Sequence, residues 1–484
     1  MRNQNNNLNI QKCPVGVEGI DELTFGGLPK NRTTLVLGAP GSGKTILGME
    51  FIYWGIRKFD EPGLIVSLNQ SIEHLVSDTS SVGIDLHTMI DAGSLNILPI
   101  KIYKDDLFET GDYNLEGLFV HLERAITQTQ AKRVLIDDID SLFLFFPDRA
   151  IVRKEFLRLG NFLNNLGVTS IFTGAKVDSF GQEYRLDEYL SDCVIQMDHR
   201  VIDQIATRRL RILKYRGTAH GTNEYPFVIT SNGLRVFPVT STALDYPTSN
   251  QFISTGINDL DNMLGGEGFY QGSAILVAGQ AGTGKTTLAA QFAVAAATAG
   301  HKCVYFSFEE SHQQLYRNMA SVGVDLAQAV EAHGLSILSN RPSLQGLEQH
   351  LAMIQDQVEE RNAEVVIIDP ISNLIQIGST MEVKAMVTRL LDGFKARKIT
   401  VFINSLIAAG DDTFGADLGM SSLMDVIISV EAVILKHKQQ RRLMVIKSRG
   451  QANSLVINHL IFSKQGLTLE PLAKTQIEET LDAE

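Results

Sequence analysis

The sequence contains the same glycine-rich motif twice, once in each half of the chain. The pattern G-x-x-x-x-G-K-[ST] is GAPGSGKT at Gly38–Thr45 and GQAGTGKT at Gly279–Thr286. In this motif backbone N–H groups surround a phosphate chain, the lysine reaches the β- and γ-phosphates, and the last hydroxyl binds magnesium. Each motif follows an apolar strand, Thr33–Leu37 or Ala274–Ala278, and precedes a helical pattern, as the motif requires. The sequence therefore predicts two separate sites for ATP and Mg²⁺.

The predicted nucleotide-binding residues lie in these two loops and in the first helical turn after each. They are Gly41, Ser42, Gly43, Lys44 and Thr45 in the first half, and Gly282, Thr283, Gly284, Lys285 and Thr286 in the second. Asp137 and Asp369 each end a run of aliphatic residues, which is the usual position of a magnesium carboxylate in such proteins. The predicted metal residues are thus Thr45 and Asp137, and Thr286 and Asp369, acting directly or through water. The alternative is that each aspartate only caps the helix that follows it.

Other segments recur in the same order in both halves, at an offset near 241 residues. The matched pairs are GIDEL and GINDL, SLNQS and SFEES, SVGIDL and SVGVDL, VLIDD and VIIDP, and KYRG and KSRG. This shared order indicates a duplicated domain, and the period is too long for a solenoid repeat. The predicted organisation is a polar tail at 1–12, a first domain at 13–240, a linker at 241–251, a second domain at 252–470 and a short acidic tail at 471–484.

Short β-branched runs alternate with longer helical patterns in each half. In the first half the predicted strands are Thr33–Leu37, Leu64–Leu68, Leu95–Pro99, Arg133–Asp137 and Thr169–Thr173, with helices over Asn114–Gln130 and Val152–Leu166. This alternation is typical of a mostly parallel sheet flanked by helices. Each half then ends in antiparallel pairs, such as Arg208–Tyr215 beside Asp192–Asp198. The predicted fold class is α/β, with two tandem P-loop domains.

Composition narrows the class of protein further. The chain of 484 residues is 44% hydrophobic and 20% charged, which is ordinary for globular domains. Its net charge of −12 disfavours constitutive binding of nucleic acid. The three cysteines, Cys13, Cys193 and Cys303, are far apart, so we expect buried thiols in a reducing cytoplasm rather than metal ligands or disulfides. The sequence shows neither a signal peptide nor an apolar run long enough to cross a membrane, so a cytoplasmic location is expected.

Hydrolysis or phosphate transfer also needs a group that takes a proton. Glu309 and Glu310 follow a strand of the second half, where adjacent carboxylates can address magnesium-bound water and the attacking group. The alternative is a solvated helix N-terminus, where glutamate is favoured anyway. In the first half the same positions are Asn69 and Gln70, whose amides cannot accept a proton at neutral pH. Because loss of a general base typically costs about 10²–10⁴ in rate, the first half should bind ATP and turn it over poorly.

Two other carboxylates of the first half, Asp138 and Asp140, could replace the missing base, and the sequence does not place them.

The K-x-R-G segments supply positively charged side chains. Lys214 and Arg216, like Lys447 and Arg449, alternate along a strand and so share one face. Two such cations, far along the chain from the glycine-rich loop, suit an anion contributed across a subunit boundary. The alternative is a surface strand with salt bridges.

These blocks resemble the KaiC family of RecA-like ATPases, from about Cys13 to Leu469. The resemblance is carried by GGLP, GAPGSGKT, FDEPG at Phe59–Gly63, RGTAHGTNEYPF at Arg216–Phe227, FSFEES and KSRG. It implies two RecA-like domains in a two-tiered homohexamer, with one ring per half and ATP bound between neighbouring subunits. It also implies that the four K-x-R-G cations act in trans on the neighbour's γ-phosphate.

The resemblance also implies autophosphorylation in the second half. Clock-type members of the family phosphorylate two adjacent hydroxyl residues beside the neighbour's ATP, and these positions fall on Ser421 and Ser422 here. A serine hydroxyl is a competent acceptor if Glu310 takes its proton and the γ-phosphate lies in line. The alternative is that the serines only cap a following helix.

Three departures from the clock proteins bear on function. Asn69 and Gln70 replace the first glutamate pair, Ala416 replaces a nearby threonine, and the tail after Leu469 is shorter. A KaiA-type partner, which acts through that tail, is therefore not expected, whereas a KaiB-like partner on the first ring is compatible with the sequence.

Two other functions remain as alternatives to an ATPase and autokinase with a regulatory role. The first is a nucleic-acid motor, supported only by basic clusters at Thr207–Arg211 and Lys436–Arg442, which we interpret as solvated hairpin turns. The lack of aromatic residues among these charges argues against it. The second is a nucleotide-gated scaffold, in which ATP mainly holds a ring together.

Overall fold

The computed structural model describes residues 10–68, 70–100, 108–109, 112–113, 115–143, 146, 148–175, 191–202, 205–238, 248–407, 420–435, 438–454 and 456–472. Contacts divide the chain into two compact units that meet at Pro238 and Val239. Of the predicted tails and linker, only residues 10–12, 248–251 and 471–472 belong to the described part. Asn69 and Ala416 lie outside it.

The first unit alternates strands and helices. Its strands are β1 (Lys12–Cys13), β2 (Leu28–Pro29), β3 (Thr33–Gly38), β4 (Gly63–Ser67), β5 (Leu95–Pro99), β6 (Phe108–Glu109), β7 (Asp112–Tyr113), β8 (Arg133–Asp137), β9 (Thr169–Gly174), β10 (Cys193–Ile202), β11 (Ile205–Tyr215), β12 (Glu224–Thr230) and β13 (Gly233–Val236). Its helices are α1 (Ile20–Leu23), α2 (Lys44–Phe59), α3 (Ile72–Ser80), α4 (His87–Asp91), α5 (Glu116–Thr129), α6 (Ile139–Phe143) and α7 (Arg149–Asn165).

The second unit follows the same order. Its strands are β14 (Phe252–Ile253), β15 (Phe269–Tyr270), β16 (Ala274–Gly279), β17 (Cys303–Ser307), β18 (Leu335–Ser339), β19 (Val365–Asp369), β20 (Thr400–Leu406), β21 (Val426–Leu435), β22 (Lys438–Ser448), β23 (Asn458–Ser463) and β24 (Gly466–Pro471). Its helices are α8 (Asn258–Met263), α9 (Lys285–Thr298), α10 (His312–Ala320), α11 (Leu326–Ala332), α12 (Leu347–Glu360) and α13 (Thr380–Ala396), and short 3₁₀ helices cover Pro342–Leu344 and Ile371–Gln376.

Each unit is built on one nine-stranded sheet, and the two sheets have the same strand order. That order is β13-β12-β11-β10-β3-β9-β8-β4-β5 in the first unit and β24-β23-β22-β21-β16-β20-β19-β17-β18 in the second. The six strands from β10 to β5, and from β21 to β18, are parallel, and the other three are antiparallel. The predicted α/β fold of two tandem RecA-like domains is confirmed, and so is the antiparallel pairing of the segments now assigned to β10 and β11.

The central strands are buried along their whole length. Every residue of β3, β8 and β9, and of β16, β17 and β19, is inaccessible to solvent or nearly so. Helices cover both faces of such a sheet, so these strands have no polar face to show. This is why they appear in the sequence as unbroken aliphatic runs rather than as alternating patterns.

The helix after the second glycine-rich loop packs closely on its sheet. Helix α9 buries five alanines, at positions 289, 290, 293, 296 and 297, whose small side chains let its backbone approach the strands. Phe292 fills the remaining space, with its ring centroid 5.4 Å from those of Phe269 and Phe402. The first turn of α9, which carries loop residues, is thereby fixed against the core.

The parallel strands give each sheet two different edges. We call the end where these strands finish the carboxyl edge, and the glycine-rich loops begin there, after Gly38 and Gly279. We call the opposite end the amino edge, where β10 and β21 begin and their antiparallel neighbours β11 and β22 finish.

All three cysteines are buried free thiols, as expected. Burial raises the pKa of Cys13 to about 11 and the pKa values of Cys193 and Cys303 to about 12, so these thiols stay protonated and unreactive. Among the described residues, no helix combines the length and the apolar character needed to cross a membrane.

Candidate functional site

The second glycine-rich loop has the backbone that a phosphate cradle needs. Gly282 and Gly284 have positive φ angles of 76° and 108°, and Gly284 precedes the first residue of α9. A Cβ atom on Gly284 would lie 2.4 Å from the ring of Phe462, so a larger residue would clash there. Thr283 is buried, and its hydroxyl donates to the Gln280 carbonyl at 2.8 Å. The loop is therefore fixed by its own sequence, with the N-terminus of α9 behind it.

Lys285 lies folded against this loop. Its Nζ donates to the carbonyl oxygens of Gly279 and Gln280 at 2.8 and 2.7 Å. Burial lowers the pKa of Lys285 to about 8, although Asp369 and Glu309 act in the opposite direction. A nearby anion stabilises the charged form of a lysine that is buried away from water, so the site fits a nucleotide polyphosphate.

The first loop repeats this arrangement. Gly41 and Gly43 have positive φ angles of 75° and 98°, Ser42 is fully buried, and Lys44 Nζ donates to the Gly38 carbonyl at 2.8 Å. Burial lowers the pKa of Lys44, and the charges of three carboxylates oppose that shift, in order Asp138, Asp137 and Asp140. The two candidate replacement bases, Asp138 and Asp140, therefore lie close to the Lys44 ammonium group, and the Asp140 carboxylate also accepts a hydrogen bond from the Ala175 backbone.

The metal-side aspartate of the first unit lies at the end of β8. Asp137 accepts hydrogen bonds from the Thr45 hydroxyl at 3.0 and 3.1 Å, and from the Thr173 hydroxyl at 2.5 Å. Burial raises the pKa of Asp137, and these two hydroxyls oppose the shift. The structure thus brings the predicted metal pair, Thr45 and Asp137, into direct contact.

The equivalent aspartate of the second unit has a different set of neighbours. Asp369 accepts hydrogen bonds from the Tyr305 hydroxyl at 2.5 Å and from the Asn404 amide at 2.8 Å. Burial raises the pKa of Asp369, and hydrogen bonds from Tyr305, Asn404 and the Thr286 hydroxyl oppose the shift. Thr286, the other predicted metal residue, therefore lies near Asp369. Sequence reasoning missed Tyr305, Asn404 and Thr173, although each is a polar residue within a buried aliphatic strand.

These residues fit magnesium bound together with nucleotide. In the described part of the chain, there is no cluster of three or more histidine, cysteine, aspartate or glutamate side chains that could hold a metal ion alone. A hydroxyl and a carboxylate at the end of a phosphate loop instead match an ion that takes its other ligands from phosphates and water.

The two glutamates of the second unit lie in the turn after β17. Glu309 is exposed, and its charge raises the pKa of Lys285, so it faces the loop lysine. Glu310 accepts a hydrogen bond from the Asn318 amide at 3.0 Å. The turn is closed by Ser307, whose hydroxyl donates to the Glu310 carbonyl at 2.7 Å. Helix α10 begins later, with its own capping box at Ser311, so the two glutamates are not needed as its cap.

The first unit forms the same turn with different side chains. The Ser67 hydroxyl donates to the Gln70 carbonyl at 2.8 Å, as Ser307 does to Glu310. Gln70 and Glu310 thus make the same contact with the serine that ends the preceding strand, and they differ in the chemistry of their side chains.

The K-x-R-G cations and the two serines lie together at the amino edge. Lys447 Nζ donates to the carbonyls of Ser421 and Met424, both at 2.7 Å, and Arg449 donates to the Ser422 carbonyl at 3.0 Å. In the first unit Lys214 donates to the Ser191 carbonyl at 2.7 Å in the matching place. The strands end one residue before each arginine, so Arg216 and Arg449 lie in the turns that follow β11 and β22.

The serines are on exposed backbone that leads into a strand. Residues 421–423 form a turn, and β21 begins at Val426. The alternative that these serines cap a following helix is therefore wrong. The pairing also fixes their distance from the loop, because the Asp425 backbone N–H donates to the carbonyl of Ala274, the first residue of β16. The second glycine-rich loop starts at the other end of β16, about 17 Å away at 3.3 Å per residue.

The basic clusters were wrongly predicted to be hairpin turns. Thr207–Arg211 lies within β11, and the described part of the other cluster, Lys438–Arg442, lies within β22. Arg442 is buried, and Arg441 donates to the Gly282 carbonyl at 3.2 Å while its guanidinium lies 4.5 Å from the Phe462 ring centroid. The long hairpins return alongside the glycine-rich loops, and this brings basic residues to the nucleotide site.

Comparison with known proteins agrees with this geometry. A family model described as ATPase: KaiC matches the chain twice, over residues 13–241 and 253–474. Circadian clock protein KaiC2 of Synechocystis sp. is 41% identical over 471 residues, which cover 97% of this chain and 83% of the relative. Circadian clock oscillator protein KaiC of Picosynechococcus sp. is 34% identical over 467 residues, covering 95% and 90%. Circadian clock oscillator protein KaiC 1 of Synechocystis sp. is 34% identical over 463 residues, covering 94% and 88%.

Proposed function

Since the chain belongs to the KaiC family of ATPases, we propose that it binds magnesium-ATP in both halves and that its second half also phosphorylates serines of a neighbouring chain. ATP binding and hydrolysis are the activities that family membership supports. The assignment of chemistry to the second half, the ring and the autokinase activity are our proposals.

One observation carries the proposal of a ring. Lys447, Arg449, Ser421 and Ser422 lie at the amino edge of a sheet whose own glycine-rich loop is at the carboxyl edge. A cation pair and two exposed hydroxyls on that edge cannot serve the nucleotide of their own unit. They can serve one held by a neighbour whose carboxyl edge faces them. Repetition of this head-to-tail contact closes a ring, for which we propose six chains.

The contacts of the serine turn also support phosphate transfer. Lys447 and Arg449 hold the turn by its carbonyl oxygens, which leaves the serine hydroxyls to face the neighbour. An anionic γ-phosphate drawn to these two cations would lie beside Ser421 and Ser422. The positions of the cations and of the acceptors are therefore coupled through the same short segment.

The proposed step uses the neighbour's loop and glutamates. The serine oxygen forms a bond to the γ-phosphorus, the bond from the γ-phosphorus to the ADP oxygen breaks, and Glu310 accepts the hydroxyl proton. Lys285 stabilises the negative charge of the departing ADP. Magnesium, when bound, neutralises charge on the β- and γ-phosphates. Water in place of the serine would give hydrolysis with the same groups, and we propose that Glu309 assists either reaction.

The first half is proposed to hold ATP with weak turnover. It keeps the loop, the Thr45 and Asp137 pair and the Lys214 contact, and it has Gln70 where the second half has Glu310. Nucleotide would then contribute mainly to assembly.

The names of the relatives indicate a regulatory role for those proteins. We propose that this chain also has a regulatory role, in the cytoplasm. A KaiB-like protein is a proposed partner of the first ring, and a KaiA-type partner is not proposed. Nucleic acid is not proposed as a ligand, because basic residues of the hairpins already have partners. For example, Arg200 pairs with Asp198 and Glu224 at 2.9 Å.

The test is intact-mass and phosphopeptide analysis after incubation with magnesium-ATP. Wild type should gain phosphate on Ser421 or Ser422, and Glu310→Gln should not, although it should still bind ATP. Absence of phosphate from the wild type would refute the autokinase and favour a nucleotide-gated scaffold. Ser77→Ala, which changes an exposed serine on α3, is a matched control.

A further inference from the structure

A buried tyrosine reaches the metal-side aspartate of the second unit. We propose that Tyr305 is a positioning residue, whose hydroxyl holds the Asp369 carboxylate in the orientation that magnesium binding requires. This inference rests on the proposed magnesium-ATP site of the second half and extends it to a residue outside the loop motifs.

The carboxylate is held from both sides of its strand. Strand β19, which ends at Asp369, lies between β17 and β20. Tyr305 on β17 donates to Oδ2 at 2.5 Å, and Asn404 on β20 donates to Oδ1 at 2.8 Å. Because the two donors bind different oxygens from opposite directions, the carboxylate cannot rotate without losing one of them.

Packing alone does not explain the hydroxyl. Tyr305 is fully buried, within a cluster that includes Ile367, Leu288 and Ala289. A phenylalanine would fill the same space and would not bring a polar group into the core. The hydroxyl has a purpose at this position only if the hydrogen bond to Asp369 matters.

The first unit lacks this arrangement. The matching position on β4 is Ile65, which pairs with Leu135 of β8 as Tyr305 pairs with Ile367 of β19. Asp137 accepts hydrogen bonds from Thr173 and Thr45, whereas the side chain on its β4 side is aliphatic. The tyrosine therefore occurs in the half that keeps the glutamate pair.

The predicted role of Asp369 tells which step the tyrosine should affect. Asp369 and Thr286 are the carboxylate and the loop hydroxyl predicted to bind magnesium in this unit. The phosphate cradle itself is formed by loop backbone and Lys285, whereas the Tyr305 hydroxyl bonds Asp369. Loss of the hydroxyl should therefore weaken the metal-dependent part of ATP binding and leave the metal-free part unchanged.

The experiment measures binding of a fluorescent ATP analogue to the full-length chain in a Lys44→Ala background, which removes the first site. The dissociation constant is measured in EDTA and in excess magnesium, for Tyr305 intact and for Tyr305→Phe. The ratio of the dissociation constant in EDTA to that in magnesium should be about 10- to 100-fold smaller in the variant. This is the loss expected when a residue that orients a metal ligand is removed. Binding in EDTA should be equal in both proteins.

Tyr270→Phe is the matched control, because it removes a tyrosine hydroxyl that bonds the Gly450 carbonyl at 3.5 Å, away from Asp369. It should behave like the background. An unchanged magnesium effect in Tyr305→Phe would overturn the proposal, and so would equal weakening with and without magnesium, since that indicates general damage to the site. Binding needs no phosphate transfer, so an unphosphorylated wild type would refute the autokinase without touching this result.

Discussion

Transfer of phosphate between neighbouring chains can be tested by mixing two variants that cannot phosphorylate themselves. Lys285→Ala removes the second ATP site and keeps both serines. A double variant, Ser421→Ala with Ser422→Ala, keeps the ATP site and removes the acceptors. Each variant alone should stay unmodified, and the mixture should gain phosphate on the Lys285→Ala chain.

The structure sets the expected magnitude. Within one unit the serine turn and the loop are at opposite ends of β16, about 17 Å apart, whereas transfer needs reacting atoms within about 3.5 Å. Transfer from the nucleotide of the same unit is therefore not expected. In a ring with a single contact direction, each serine-bearing chain of an equal mixture has an active neighbour on the correct side in about half of cases. Phosphorylation should reach about half of the level of all-wild-type rings, counted per acceptor chain.

The assay is intact-mass analysis, which separates the two chains by their different masses. They are mixed under conditions that exchange subunits, and magnesium-ATP is then added. If wild type is phosphorylated and the mixture is not, the reasoning from sheet edges is refuted. Phosphorylation of the Lys285→Ala variant when it is incubated by itself would refute it as well. The control is the same mixture without subunit exchange.

Three further changes test other parts of the structure. Glu310→Gln should lower ATP hydrolysis by about 10²–10⁴-fold with little change in nucleotide affinity, as measured by phosphate release and equilibrium binding; an unchanged rate would exclude it as the base. Burial raises the pKa of Glu50 to about 7 from its usual 4.5, so the folded state binds the proton more tightly than the unfolded state does. Stability should then fall as pH rises from about 4.5 to 7, by a few kcal/mol at most, and Glu50→Gln should flatten this slope in urea unfolding. If the stability of the wild type and that of Glu50→Gln fall equally with pH, Glu50 is not the source of this pH dependence. Phe292→Ala should cost about 3–5 kcal/mol in the second unit, seen by calorimetry, and a loss below about 1 kcal/mol would contradict the packing described for α9.

The sheet could be predicted from the sequence because its strands are buried on both faces. The predicted strand Leu95–Pro99 has the observed bounds, and Leu64–Leu68 is shifted by one residue from β4. The predicted helix Asn114–Gln130 is slightly longer than α5. Errors at ends are small because a continuous aliphatic run leaves few alternatives. The hairpin β10–β11 was harder, because charged residues continue the strand where a turn was expected.

The site was predictable only in part. Loop residues and the aspartates follow from local motifs, since each motif keeps its residues close along the chain. Tyr305 and Asn404 reach Asp369 only because β17 and β20 flank β19, and strand order is not visible in one sequence. The contact between Arg441 and the glycine-rich loop depends likewise on a hairpin that folds back across the sheet. Residues that act through neighbouring strands are therefore the ones that motif analysis misses.

The duplicated units differ in the features that we propose for chemistry and agree in those that we propose for binding. Both keep the loop lysine on its carbonyls and an amino-edge lysine, Lys214 or Lys447, on the turn before the hairpin. These are the features that would bring two chains together around a nucleotide. Only the second unit combines a glutamate in the turn after its strand with a tyrosine on the metal-side aspartate. The two units share their strand order and the serine contact of this turn, and they differ in the side chains that we propose act on the attacking group and the metal. We therefore propose that the chain, which keeps the lysines of the amino edge in both units and the glutamate in one, assembles through two nucleotides and reacts with one.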